Sequence, residues 1–170
     1  MAQHMPQLPL IDRFKIQAEV LVPILHHLEA EIGRDAALAL LRESVGEVMR
    51  GHAQEFVAGL GDTGTAVMWR GISDKDTWER QHPIVVEERH VDDEVAEFDV
   101  TDCQYASFFN QIGEPELGFL LVCSSDFDFV EAMPDIELER TQTRMQGATH
   151  CDFRYRRSND GPERSPTRAQ

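Results

Sequence analysis

The sequence predicts an α+β fold, with an N-terminal helix pair followed by two β-hairpins that flank two helices and form a largely antiparallel sheet. Three observations carry the prediction. Apolar residues recur at spacings of three and four as far as Leu60, the spacing falls towards two from Ile84 onward, and glycine or proline marks most changes of period.

The first helix rests on Ile11, Phe14, Ala18, Leu21, Leu25, Leu28 and Ile32, and Gly33 ends it. Pro23 lies inside it, where it removes a backbone donor and crowds the preceding turn, so a kink is expected. A second helix follows on Leu38, Leu41, Val45, Val48, His52, Phe56 and Leu60, with Asp35 near its start. His52 falls in that stripe and leaves two readings open: a core histidine with a satisfied ring, or a base or ligand that faces a pocket. His26 and His27, adjacent and so well apart around their helix, read as surface residues. Residues 61–81 are rich in glycine and polar side chains and read as a loop with a short regular segment around Val67 to Trp69.

Ile84 to Val86 and the alternating Ala96, Phe98 and Val100 form a hairpin about Asp92 and Asp93. A short helix follows, stopped by Gly113, and then a helix that begins at Pro115 and ends before Pro134. "IELERTQTRMQ" and "HCDFRYRR" alternate about Gly147 as a second hairpin. Residues 1–9 and 158–170 carry prolines and few large apolar groups, and disorder is expected at both ends. Residues 10–157 are expected to form one domain.

Composition excludes several classes. A formal charge of −15 on 170 residues leaves no basic surface to track phosphates, so nucleic acid is not an expected partner. No run approaches the ~18 apolar residues of a membrane span, and "MAQHMPQLPL" lacks the basic and apolar regions of a signal peptide, so a cytoplasmic protein with no membrane partner is expected. Three cysteines at wide spacing make no disulfide framework and read as reduced thiols. Their separations of 20 and 28 residues are far looser than a zinc knuckle, so neither a metal nor another cofactor is expected.

Each thiol has two readings. Cys103 falls where a strand gives way to a helix, whose N-terminus stabilises a thiolate; it is a nucleophile or a packed thiol. Cys123 shares a helical face with Leu120, Phe127 and Val130, with Asp126 three residues on. Cys151 alternates with Phe153 and Tyr155 on the core side of its strand, which leaves His150, Asp152 and Arg154 on the other.

The C-terminal third adds a resemblance. Cys103 before a short helix, Gly113 with Pro115, Glu116 and Leu117, Cys123 with Asp126, Arg140 with Thr141 and Thr143, and Gly147 with Cys151, Asp152 and Phe153 come in the order seen in the L-2-amino-thiazoline-4-carboxylic acid hydrolase family, which this segment resembles. The Gly147-to-Cys151 strand is also similar to the four-vinyl-reductase type of small-ligand domain. The first resemblance implies hydrolytic opening of a small nitrogen heterocycle, a cyclic amidine or thiazoline, with the namesake thiazoline giving N-carbamoyl-L-cysteine. Either a cysteine nucleophile or water activated by Asp or His would do this. The expected catalytic residues are Cys103, Cys123, Asp126, His150 and Cys151. Arg140, Thr141, Thr143, Asp152 and His52 are expected to bind substrate, with Arg144 and Arg154 as further carboxylate partners. The alternative is a non-enzymatic small-ligand sensor, and a homodimer is left open for either.

Overall fold

The computed structural model describes residues 8–60, 64–133 and 135–157, with the backbone alone at 64 and 65. Apart from Leu8 and Pro9, the two stretches expected to be disordered lie outside these residues, as does Pro134. Helices α1 (Leu10–Ile32) and α2 (Arg34–Leu60) form the N-terminal pair, separated by Gly33 at φ +83°, a conformation that side chains with a Cβ rarely adopt. Along α1 the apolar face is as the sequence suggests. Ile11, Ala18 and Leu25 are buried, Phe14, Leu21 and Leu28 pack against them, and the helix continues through Pro23.

The stripe read along α2 holds at Leu38, Leu41 and Val45 and then slips. Val48 and Phe56 are half exposed, His52 is exposed, and Ala53 is fully buried with Val57 against the core. A seam that advances in steps of four residues drifts by about 40° per step around the helix, which turns the small Ala53 inward. His52 is therefore exposed and not a core histidine. Residues 64–81, read as mostly loop, instead contain α3 (Gly64–Ile72) and α4 (Lys75–Gln81). The Asp74 carboxylate starts α4 by accepting from the Asp76 N–H and the Thr77 hydroxyl at 3.1 and 2.6 Å.

Four strands, β1 (Ile84–Val91), β2 (Val95–Cys103), β3 (Ile136–Glu139) and β4 (Cys151–Arg157), pair in the order β1-β2-β4-β3, every neighbour antiparallel. Asp92 closes the first hairpin by accepting from the Glu94 and Val95 N–H groups, both at 2.8 Å. The second pair is antiparallel as expected, yet β3 is shorter than its pattern suggests. After Glu139, which faces Arg154, the chain leaves the ladder, makes a 3₁₀ turn over Arg144–Gln146 and returns through Gly147 at φ +92°. Between the two pairs run α5 (Gln104–Gln111), α6 (Pro115–Gly118), a π-helical turn (Phe119–Cys123) and α7 (Ser125–Glu131).

Alternation along the strands buries Ala96, Phe98, Val100, Cys151, Phe153 and Tyr155. Trp78 of α4 covers them, its ring 5.3 Å from Phe98, 5.1 Å from Phe153 and 5.8 Å from Tyr155. Each aromatic ring fully buried in this way contributes ~1.5–3 kcal/mol. Among the described residues no helix is long and apolar enough to cross a membrane.

Packing is tightest at Gly118. A Cβ there would stand 2.5 Å from Phe109 Cγ and 2.7 Å from Met145 Sδ, both belonging to buried side chains. Gly118→Ala should therefore lose roughly 1–3 kcal/mol in chemical unfolding despite its better helix propensity. An unchanged or raised stability would show that α6 is free to move away from α5.

Candidate active site

The three thiols arrive at one end of the sheet from three directions. Cys103 ends β2 and caps α5, its sulfur accepting from the Ala106 N–H at 3.4 Å. Cys151 opens β4 opposite Val100 of β2, and its sulfur accepts from the Arg144 N–H at 3.2 Å. Cys123 ends the π-helical turn. All three are buried, and the charge on each of Cys103 and Cys151 would be felt at Cys123.

Arg140 organises this cluster. Its side chain is 1% exposed, and its guanidinium donates to Asp126 Oδ2 at 2.6 Å and to the Cys123 carbonyl at 2.8 Å. The rings of Phe127 and Phe153 lie 5.0 Å from it on either hand. The π-helical turn makes the second bond available: Ser124 N–H reaches Phe119 O and Phe127 N–H takes Ser124 O, so Cys123 O is left for Arg140. Arg140 Nε has no partner. With both terminal nitrogens engaged and the side chain out of solvent, Arg140 holds Asp126 in place.

Asp126 is crowded by protein, yet 34% of its side-chain surface is open to solvent. Its carboxyl is thus surrounded by protein and still reached by solvent. Burial pushes its carboxyl up from the ordinary value, while the Arg140 guanidinium at 2.6 Å acts in the opposite direction.

Burial dominates the thiols. It raises Cys103 despite the helix N-terminus, raises Cys123 well above the usual thiol range, and raises Cys151 to about 11. At Cys103 lost hydration outweighs the two backbone donors at the start of α5, which makes its thiol a weaker acid than a free one. Two further groups escaped sequence reasoning. His82 follows α4, with Nδ1 3.3 Å from the Tyr105 hydroxyl, and burial holds it below the ordinary imidazole value while Asp126 acts in the opposite direction. It is a neutral base at neutral pH. Tyr105 packs beside Cys103, and burial raises its phenol. A histidine before a proline and a tyrosine two residues after Cys103 were the available signals.

Of the remaining expected site residues, Arg144 borders the cluster through its N–H on the Cys151 sulfur, and the others make their contacts elsewhere. His150 Nε2 is 3.7 Å from Asp99, which Arg89 and Arg154 hold at 2.6 and 2.7 Å. Arg154 is thereby engaged on the polar side of the sheet. Asp152 accepts from the N–H groups of Thr141 and Gln142 at 3.0 and 2.8 Å and from the Thr141 hydroxyl at 2.6 Å, so this pair fastens the chain leaving β3 to β4. Thr143 is buried and caps the 3₁₀ turn. Arg144 donates to the Thr149 carbonyl. Among the described residues no three His, Cys, Asp or Glu side chains converge as metal ligands. A shallow apolar groove between α1 and α5, lined by Ala18, Val22 and Phe108, shares no residue with the cluster.

The raised Cys151 thiol has a consequence for stability. A folded-state value near 11 against 9 unfolded means that ionisation favours the unfolded chain, so stability is intact below pH 9 and falls as pH rises towards 11. The loss should be on the order of 2 kcal/mol, and Cys151→Ala should flatten that limb of the unfolding profile. Equal alkaline slopes in both proteins would place Cys151 in a wetter site than its burial indicates.

The chain matches the family described as ATC hydrolase, L-2-amino-thiazoline-4-carboxylic acid hydrolase, over residues 13–155. No curated protein matches it. Among solved structures it is similar to a trafficking protein particle complex subunit 3 from Naegleria fowleri covalently bound to palmitic acid, at 15% identity and a TM-score of 0.44, covering 88% of this chain and 99% of that one. A likeness so distant has no bearing on function. The family match runs from α1 into the cluster-bearing strand β4, and the chain belongs to the L-2-amino-thiazoline-4-carboxylic acid hydrolase family.

Proposed function

We propose that the protein hydrolyses a small cyclic amidine, a thiazoline or a related ring, at Asp126. The carrying observation is a carboxylate that is open to solvent, held by a buried guanidinium at 2.6 Å, and set near thiols and an imidazole that burial disfavours in their charged forms. A protonated amidine is a cation with two N–H donors, and a fixed carboxylate pairs with both. Water then adds to the amidine carbon while His82 accepts its proton. The carbon–heteroatom ring bond breaks, and the leaving sulfur or nitrogen takes a proton from the histidinium or a neighbouring thiol. Atoms balance as substrate plus one water. High thiol values favour this activated-water route over a covalent thiolate.

The same protonated thiols favour the second reading, a ligand-binding domain that performs no chemistry. Incubation with cyclic amidines, thiazolines and lactams, followed by mass spectrometry, separates the two: hydrolysis adds one water to the substrate, whereas saturable binding without turnover supports the sensor. For the hydrolase, Asp126→Asn should lower kcat/KM by ~10²–10³ through lost charge and orientation. Cys103→Ala should retain most activity. The rate should fall as pH drops through the lowered His82 value, a limb that His82→Gln removes. A Cys103→Ala protein that is inactive at wild-type stability would restore the covalent route.

A further inference from the structure

Helix α1 has a second apolar face. Opposite the side that carries Ala18 and Leu25 into the core, Ile16, Val20 and Ile24 are 51%, 60% and 46% exposed. With Arg13, His27 and Glu31 they follow spacings of three and four, the seam along which two helices pack. Large aliphatic groups in a continuous row on a charged protein are costly to hydrate and mark a covered surface.

We propose that this face pairs with the same face of a second copy, the two α1 helices antiparallel about a twofold axis near Val22. The ends of the row specify that occupant. Arg13 and Glu31 lie at equal distances on either side of position 22 and are both exposed, and neither has an ion-pair partner among the described residues. An antiparallel copy sets Arg13 of each chain against Glu31 of the other, Val20 against Ile24, and Gln17 against His27. A twofold interface requires this reciprocity, and it places one new ion pair at each end of an apolar centre. Residues 158–170 fit poorly as the cover, since they hold no aliphatic side chain larger than alanine. The charge of −15 on each copy opposes association, but screening at physiological ionic strength confines that repulsion to about 8 Å, leaving the seam to decide.

Sedimentation of the full chain should show a dimer. Val20→Asp with Ile24→Asp should give a folded monomer with an unchanged circular dichroism spectrum, since both positions face outward, and with a melting temperature that no longer rises with protein concentration. Reversing one charge, Arg13→Glu, should weaken the dimer roughly tenfold or more by setting like charges together, and Arg13→Glu with Glu31→Arg should restore it. A chain that stays monomeric, or a dimer indifferent to these changes, would overturn the proposal and leave the face to a different protein partner.

Discussion

A guanidinium cannot shed its charge, so Arg140, almost wholly removed from water, must be answered by the protein around it. Asp126 on α7, the carbonyl that ends the π-helical turn, and rings from α7 and β4 supply that answer. One side chain at the end of β3 thus fixes the relative position of the segments that carry Cys123, Asp126 and Cys151. The irregular helix belongs to the same constraint. A regular α-helix would engage the Cys123 carbonyl internally, and the extra residue in the turn directs it to Arg140.

Burial then sets the chemistry. Thiols that lose hydration become weaker acids, and three of them together discourage one another's ionisation. Asp126 loses hydration too, but Arg140 stands against it and part of its side chain stays open to solvent. The result is a cluster in which one solvent-facing carboxyl, held by a buried guanidinium, lies near three buried thiols.

Much of the fold was legible because large apolar residues dominate the faces concerned. The α1 stripe, the β1–β2 hairpin and the core alternation of β4 all follow from spacing alone. The reading failed where burial falls on small residues: Ala53 rather than His52 turns inward on α2, and the glycine-rich stretch before Ile84 conceals two helices. Ordered motifs indicated that the three cysteines belong together, but nothing local revealed that Arg140 is the centre of the cluster, because arginine is ordinarily a surface residue. His82 was invisible for a related reason. Its role comes from packing against Tyr105 and from the charge on Asp126, 44 positions along the chain, and no period in the sequence encodes either. Asp152 shows the reverse error, a motif carboxylate used to fasten one turn to one strand.

The proposed seat of the substrate is Asp126, held by Arg140, and a crystal structure of the chain with a slowly hydrolysed cyclic amidine would test it. The amidine nitrogens should lie within hydrogen-bond distance of the Asp126 carboxylate, beside Cys123 and on the side facing His82, with the Arg140 bond intact. Density for the ligand in the α1–α5 groove or on the polar side of the sheet, with only water at Asp126, would contradict it.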